Sequence, residues 1–435
     1  MIIFSTVRPP RGGRYLEIIA TLMLLASSYH CGTFSRCRAL AFPSTMKAST
    51  LFSIALSFYV TSVVAQESVT DTIVSNAAAD SIDLSVLDFL DVALGEIAAV
   101  YDAPEARKRE IFPLVSRQTA ATIIDVHTHV VPSWYKSLVP ITGGNPTPDW
   151  DISSYLAFMQ TQGIARSIFS FSAPGPNVFQ GNKPATVALA RLINEQSAAY
   201  CHAQPTKLNF YAVVPLPYTA EAITEANYAL NTLGAVGIIL TSNYEGLYLG
   251  NAQFKPFFSA INNRGGRQIL YIHPSAPYMK VNNKLVEANP TPYATGNIEF
   301  YFETARTLMD LTLTQTIHTY TNIHYVIPHV GGAFPAAIDR ILKSAPTIYD
   351  SSMAIYATRF WWDSAGPTYY HQVSGLLGYG IPKSQLLFGT DFPYAPSFTQ
   401  AASLAAVKAS SLLSAAERTA LFTTNPKALF GNKIA

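Results

Sequence analysis

The 435-residue sequence contains little cysteine, little charge and no long apolar run. Its cysteines are Cys31, Cys37 and Cys201, too few for the class of small secreted domains held together by disulfides. Charged residues make up 13% of the chain and the net charge is +2. The absence of a long basic run excludes the usual nucleic-acid-binding classes, so we expect no nucleic-acid partner. No apolar run reaches the ~20 residues of a membrane span, so we expect no stable span once the leader is removed.

Apolar residues supply 49% of the chain and aromatic residues 12%, which is enough for a sizeable core. The length alone allows two or three domains. Large α/β barrels, however, form one domain of about 250 residues or more. The composition therefore indicates a globular protein with a sizeable core, but it does not decide the number of domains.

Residues 1–65 are predicted to be a leader that is disordered or weakly structured. A short basic start at Met46-Lys47, an apolar run over 51–60 and the small-residue exit Val63-Val64-Ala65 form a secretory signal pattern over 46–65. We expect that translation begins at Met46, that 1–45 is an over-extended gene model, and that the protein is secreted or enters the secretory-pathway lumen. In the alternatives, the apolar run Ile18–Ala26 is the signal or an anchor, or the protein stays cytoplasmic.

Residues 66–118 are rich in acidic residues and include the basic triplet Arg107-Lys108-Arg109. One interpretation is a poorly packed linker with a single helix near Leu84–Val100. The other is a pro-segment that is cut after Arg109, because exposed basic sites between regions of different composition favour processing. After removal of the leader only Cys201 remains, which excludes an intrachain disulfide in the mature domain.

Residues 119–435 alternate between strand-like apolar runs and helix-like amphipathic segments. Eight strands interleaved with helices are typical of a (β/α)8 TIM barrel, which we predict as a single catalytic domain. The rival fold is a doubly wound open sheet, but no Gly-x-Gly-x-x-Gly follows any of the runs. The predicted strands are Ile123–His127, Ser167–Phe171, Leu208–Pro215, Val236–Leu240, Gln268–His273, His324–His329, Phe360–Asp363 and Gln385–Gly389.

Histidines and an aspartate stand where four of these strands end. His127 and His129 close the first strand, and alternation sends both side chains to one face. His273 closes the fifth strand, His329 the sixth and Asp391 the eighth. The active sites of such barrels lie at the carboxyl ends of the strands. Imidazoles and a carboxylate gathered there predict a divalent metal site with an open position.

The motifs around these residues resemble those of the amidohydrolase superfamily, within it the branch of metal-dependent decarboxylases that includes aminocarboxymuconate-semialdehyde decarboxylase and 6-methylsalicylate decarboxylase. The likeness covers roughly residues 120–430. The motifs that carry it are Asp125-Val126-His127-Thr128-His129-x-x-Pro132, Gly250-Asn251-x-x-Phe254, His273-Pro274, His329-Val330-Gly331-Gly332 and Leu387-Phe388-Gly389-Thr390-Asp391-Phe392-Pro393.

This resemblance implies one divalent metal, zinc by default with manganese or iron as alternatives, and no organic cofactor. It implies His127, His129, His273 and Asp391 as ligands, with His329 as catalytic acid/base and Asp391 also as proton relay. The fourth strand lacks a lysine that could be carbamylated to bridge two metals, which favours a single ion. Members of the branch often pair as homodimers, so a homodimer is a further expectation.

The implied activity is non-oxidative decarboxylation of a small aromatic or unsaturated carboxylic acid, with a hydroxybenzoate such as 6-methylsalicylate as first choice. The alternative is a mononuclear metal-dependent hydrolase that attacks a lactone, ester or amide. The segment His273-Pro274-Ser275-Ala276-Pro277 lacks the glutamate of deaminases, which argues against deamination. A second alternative is a catalytically silent, secreted binding barrel.

Three aromatic residues are candidates to contact the substrate because of their positions in loops. Trp134 follows the first histidine motif, and Phe392 and Tyr394 follow Asp391. Residues of this type also pack in cores, so core packing is the alternative for each. Lys136 is a candidate to meet a second carboxylate of the substrate.

Overall fold

Eight apolar runs of the chain form the parallel sheet at the centre of the fold. The computed structural model describes residues 68–102, 122–366, 369–394 and 397–434. In chain order the strands are β1 Ile123–Val130, β2 Ile164–Phe171, β3 Leu208–Ala212, β4 Gly237–Thr241, β5 Gln268–His273, β6 Ile323–Ile327, β7 Phe360–Asp363 and β8 Leu386–Leu387. Each strand pairs in parallel with the next, and helices surround the sheet, so the predicted TIM barrel is confirmed.

The barrel closes between the first and last strands through backbone hydrogen bonds rather than a long ladder. β8 spans two residues, and the chain beyond it continues alongside β1. The Val126 N–H donates to the Phe388 carbonyl at 2.9 Å, and the His129 N–H donates to the Phe392 carbonyl at 2.7 Å. Gly389 permits this approach, since a Cβ at that position would lie 2.6 Å from the His127 Cβ.

Helices follow most of the strands and cover the barrel. They are α1 Val69–Ala79, α2 Leu90–Tyr101, α3 Ser133–Leu138, α4 Ile152–Gln162, α5 Lys183–Ala203, α6 Thr219–Asn231, α7 Lys255–Asn262, α8 Glu299–Leu313, α9 Thr316–Thr319, α10 Phe334–Lys343, α11 Tyr349–Tyr356, α12 Tyr370–Gly378, α13 Ser397–Ala409, α14 Ala415–Thr419 and α15 Asn425–Phe430. Short antiparallel pairs join Ile141–Thr142 to Asn145–Pro146, Asn243–Tyr244 to Leu247–Tyr248, and Tyr278–Val281 to Lys284–Glu287.

The helical stretch between β5 and β6 is divided into α8 and α9. The break falls at Gln315, whose φ of +58° is left-handed and cannot continue a right-handed helix.

Residues 68–102 correct the expectation of a poorly packed linker. They fold as α1 and α2 joined by residues 80–89, which include the 3-10 turn Leu84–Val86. The predicted single helix near Leu84–Val100 corresponds to α2 alone. Many of their apolar side chains are buried, although Val74, Val86 and Val92 are exposed. The acids that suggested a linker lie mainly on the outer face. The buried residues recur at three- and four-residue intervals, which is the helical spacing that the acidic composition obscured. The buried apolar residues of the segment are Ile73, Ala77, Ile82, Leu84, Leu87, Ala93, Leu94 and Ile97.

Several predictions fall outside the described residues. They are the leader over 1–65, the start at Met46, the cleavage after Arg109, and Cys31 and Cys37. Among the helices that are described, none combines the length and apolar character needed to cross a membrane.

A buried arginine on α5 joins α1 and α6. The Arg191 guanidinium donates from Nε to Glu225 at 2.9 Å and from Nη2 to Asp80 at 2.5 Å, and it lies 3.7 Å from the Tyr228 ring centroid. Glu225 also accepts a hydrogen bond from Asn194. Burial raises the pKa of Glu225, and the guanidinium opposes that rise. Arg191 therefore keeps a buried carboxylate paired.

Replacing Arg191 by methionine is expected to lower the free energy of unfolding by about 3–5 kcal/mol, because Glu225 would stay buried without its cation. Urea unfolding followed by circular dichroism measures this loss. The control is Lys343→Met, which removes an exposed pair with Asp339 and should cost less than about 0.5 kcal/mol. Equal losses of unfolding free energy in the two variants would contradict this role of Arg191 as the partner of buried Glu225.

Candidate metal centre

The barrel brings His127, His129, His273 and Asp391 together at the carboxyl ends of its strands. The Nε2 atoms of His127 and His129 lie 3.2 Å apart. Oδ1 of Asp391 lies 3.3 Å from the first of these nitrogens and 3.2 Å from the second. A ring nitrogen of His273 lies within 4.8 Å of those of the other two histidines. All three histidines are buried.

These separations fit a cation bound between the donor atoms. Metal–ligand distances of about 2.1 Å with tetrahedral angles place neighbouring donors roughly 3.4 Å apart. The other ring nitrogen of each histidine already has a partner, which leaves Nε2 for a metal. Nδ1 of His127 meets Asp363 at 2.9 Å, that of His129 meets Ser170 at 3.1 Å, and that of His273 meets the Pro274 carbonyl at 2.7 Å.

The charges of the site also suit a cation. Burial alone would raise the pKa of Asp391, but hydrogen bonds from three imidazoles hold it well below its usual range. Burial lowers the pKa of His129, and burial together with neighbouring histidines lowers that of His273 well below its usual value. Burial would also lower the pKa of His127, but Asp363 and Asp391 outweigh it and raise the value to about 10. The site therefore joins the Asp391 carboxylate to His129 and His273, whose neutral form is favoured, and to His127, whose protonated form is favoured by its two carboxylate neighbours.

Asp363, at the end of β7, supports both the metal ligands and His329. Its Oδ2 accepts from Nδ1 of His127, and its Oδ1 accepts the backbone N–H of His329 at 3.1 Å and that of Ala365 at 3.0 Å. The carboxylate is fully buried. It therefore fixes which ring nitrogen of His127 faces the metal position, and it holds the backbone at His329.

Asp125 ties β1 to the segment that carries Asp391. Its carboxylate accepts the Thr390 hydroxyl at 2.6 Å and the His127 N–H at 3.1 Å. Burial raises the pKa of Asp125 to about 7, although those hydrogen bonds oppose the rise. The first residue of the Asp-x-His-x-His motif is thus a structural anchor.

His329 lies beside the donor set, just beyond β6. Its Nε2 is 3.8 Å from Oδ2 of Asp391, and its ring stacks on Tyr301 with centroids 5.5 Å apart. Its backbone is left-handed, with φ of +52°, a conformation that costs free energy in a residue other than glycine. Nδ1 is buried and has no hydrogen-bond partner within the described part of the chain. The ring is therefore available for proton transfer next to the metal position.

A cavity of about 850 Å³ opens above these residues. His129, His273, His329 and Asp391 contribute to its lining near the metal position. The other lining residues include neutral polar groups and aromatic rings, among them Thr142, Asn145, Asn297, Phe300, Tyr301 and Tyr394. No lysine or arginine lines the cavity within the ranges that the structure describes.

The three predicted substrate contacts lie in different places. Tyr394 lines the cavity and meets the edge of His129, with centroids 5.3 Å apart. Trp134 is only 3% exposed and donates from Nε1 to Gln196, and Phe392 stacks on neighbouring aromatic rings. Neither Trp134 nor Phe392 is among the described residues that line the cavity. Lys136 pairs with Asp149 on the surface.

Sequence reasoning missed Asp363, Ser170 and Tyr301. Asp363 ends a strand that was predicted, so the rule that identified the histidines also applied to this residue. Ser170 lies within β2, and Tyr301 lies in α8 after a long loop. No local pattern indicates that either residue faces the barrel mouth.

Asp363→Asn is expected to lower the affinity for the metal about 10- to 100-fold, because the amide can donate to His127 and reverse its tautomer. Titration with a competing chelator, followed by metal analysis, measures the change. Asp339→Asn is the matched control, since Asp339 is an exposed carboxylate on α10. Equal affinity in the wild type and in Asp363→Asn would exclude this role.

Comparisons with known proteins agree with the motifs. A family model described as Amidohydrolase matches residues 124–431. The decarboxylase yanB of Aspergillus niger is 33% identical over 294 residues, which cover 63% of this chain and 78% of that protein. The 6-methylsalicylic acid decarboxylase of Penicillium expansum is 30% identical over 287 residues, which cover 63% of this chain and 85% of that protein.

A solved structure shares the fold. It is the 5-carboxyvanillate decarboxylase of Novosphingobium aromaticivorans, determined with manganese and 4-hydroxy-3-methoxy-5-nitrobenzoic acid. The match has a TM-score of 0.58 and 18% identity, and it covers 71% of this chain and 96% of that chain. At this identity the match is evidence for the fold alone.

Proposed function

This chain belongs to the amidohydrolase family, and we propose that it is a metal-dependent decarboxylase of a small aromatic carboxylic acid. The observation that carries the proposal is the placement of His329 and Asp391 beside the histidine donor set, beneath a cavity of about 850 Å³. The names of the relatives, which include two decarboxylases of fungi, support the same reaction.

The protein groups supply the orientation and the proton. A divalent cation held by His127, His129, His273 and Asp391 would attract the substrate carboxylate and a neighbouring oxygen. His329 donates a proton to the ring carbon that bears the carboxylate, since imidazole can carry and release a proton near neutral pH. A C–H bond then forms, the C–C bond to the carboxylate breaks, and its electron pair restores the ring as carbon dioxide leaves. Asp391, 3.8 Å from His329, relays the proton that restores the imidazole.

The cavity favours a substrate with one carboxylate. Beyond the histidines, the described lining offers no cationic side chain to a second carboxylate, while its neutral polar groups suit hydroxyl substituents. A hydroxybenzoate such as 6-methylsalicylate meets both conditions. We propose it as the first substrate to test.

Tyr394 adds a reason to expect a ring hydroxyl. Its own hydroxyl proton has two acceptors inside the wall, the hydroxyls of Ser172 and Thr142. The Ser172 proton is directed to the Ala173 carbonyl, and the Thr142 hydroxyl pairs with Thr147. With its proton used in this way, the phenol oxygen can accept a hydrogen bond from the cavity side. A substrate hydroxyl is a suitable donor.

Metal-loaded protein is expected to release carbon dioxide from a hydroxybenzoate. His329→Ala and Asp391→Ala should each lower the rate at least about 100-fold, because each removes a group that handles the proton. The assay uses the full chain with zinc, manganese or ferrous iron. It follows carbon dioxide and loss of the carboxylate over a panel of hydroxybenzoates and lactones.

His371→Ala is the matched control, since this histidine is exposed on α12 and should leave the rate unchanged. Hydrolysed lactone without carbon dioxide would replace the proposal by a metal-dependent hydrolase. Bound metal without turnover of any compound would favour a binding protein.

We also propose that the protein enters the secretory pathway, on the strength of the signal pattern over 46–65. Expression in a eukaryotic host should place the protein in the medium, with a mature N-terminus at or near Gln66. N-terminal sequencing measures this directly. An intact Met1 or Met46 on protein confined to the cell extract would reject the proposal.

A further inference from the structure

Residues 68–102 lie outside the matched family region, which begins at residue 124. They nevertheless share one compact unit with the barrel. α1 and α2 bury apolar side chains together with those of α5, and Asp80 pairs with the buried Arg191. Asn76 donates to the Tyr228 hydroxyl at 3.2 Å. These contacts attach the segment firmly to the side of the barrel.

The segment also contacts the chain directly after the first histidine motif. Phe89 stacks on Trp134, with ring centroids 5.8 Å apart and planes inclined by 14°. The Ser133 hydroxyl donates to the Glu96 carboxylate. Both contacts fall on the first turn of α3, which starts four residues after His129.

From α3 the contacts continue to the cavity wall by two routes. Along the chain, α3 leads directly into residues 139–147, of which Thr142 and Asn145 line the cavity. Through space, the Tyr135 hydroxyl donates to the Ser172 carbonyl at 2.8 Å, and the Ser172 hydroxyl bonds to Tyr394. Movement of α3 would therefore displace the wall that carries Thr142, Asn145 and Tyr394.

The metal ligands are held differently. His127 and His129 lie within β1, which pairs with β2 on one side and bonds to the Phe388 and Phe392 carbonyls on the other. Asp363 and Ser170 hold the two rings. None of these described contacts involves residues 68–102. The contacts of residues 68–102 thus reach the substrate wall through α3, whereas they reach the metal position only indirectly, through Tyr394, whose ring meets that of His129.

We propose that residues 68–102 act as a positioning element for the substrate cavity. Phe89 and Glu96 hold α3, and α3 holds the wall formed by residues 139–147. The segment sets the shape of the cavity and hence the affinity for substrate, whereas the barrel alone sets the affinity for metal.

The first test measures hydrogen–deuterium exchange in the zinc-loaded full chain. Phe89→Ala with Glu96→Gln should speed exchange over residues 133–147 by roughly two- to tenfold, the loss expected for an aromatic pair. Exchange over residues 123–130 and the zinc content should stay unchanged. Val92→Ala is the control, since Val92 lies on α2, the helix that carries Glu96, and its side chain is 58% exposed.

Phe89→Leu separates stacking from general stability, because leucine keeps an apolar side chain at this position. Exchange over 133–147 in this variant should be intermediate between the wild type and Phe89→Ala. Its free energy of unfolding should equal that of the wild type. Unchanged exchange over 133–147 would overturn the proposal. Equal acceleration over 123–130 would also overturn it, since that result indicates general loosening of the fold.

A kinetic test rests on the proposed function. With a hydroxybenzoate that the wild type decarboxylates, the double variant should raise KM several-fold and leave kcat within about twofold. A fall in kcat with unchanged KM would contradict positioning of the wall. Should no acid be decarboxylated, the proposed function fails, while the exchange experiment still decides the role of residues 68–102.

Discussion

The whole site depends on one buried carboxylate, that of Asp363. Its two oxygens bind two different parts of the machinery, the His127 ring and the His329 backbone, at 2.9 and 3.1 Å. A carboxylate with no exposure to water can stay charged only when hydrogen bonds replace that water. Because both groups donate to the same side chain, the distance between the His127 ring and the His329 backbone is set by the end of β7.

A second buried carboxylate, that of Asp125, helps to position Asp391 at the junction between the first and last strands. β8 is too short to hold this residue by a ladder, so Asp125 and the backbone of β1 hold the segment from Phe388 to Phe392. A donor set drawn from β1, β5 and the chain beyond β8 can keep separations near 3.2 Å only if the barrel is closed at this point. The shortest strand of the sheet is thus followed by a segment that side-chain and backbone hydrogen bonds hold against β1.

The sequence predicted the barrel and the four donor residues because both rest on local patterns, namely buried apolar runs and the polar residue that ends each run. It did not distinguish Trp134 and Phe392, which pack in the interior, from Tyr394, which lines the cavity. All three follow a motif by a few residues, and only the path of the following chain decides which way each ring points. Residues 68–102 were misjudged because their acidic residues masked the helical spacing of the buried ones.

The charge distribution of the site favours a shared location for the proposed metal and the substrate carboxylate. Apart from its histidines and Asp391, the described residues that line the cavity are neutral, and the pKa of Asp391 is held well below its usual range by neighbouring imidazoles. The buried carboxylate of Asp363 lies beneath them, paired with His127. An incoming carboxylate would meet only repulsion from these two groups if nothing positive lay between. Among the described residues, the positive charge at this point would come from a cation held by His127, His129, His273 and Asp391, or from a proton on His127 held by its two carboxylates. In the proposed reaction either charge would attract the substrate carboxylate to a point beside His329, the proposed proton donor.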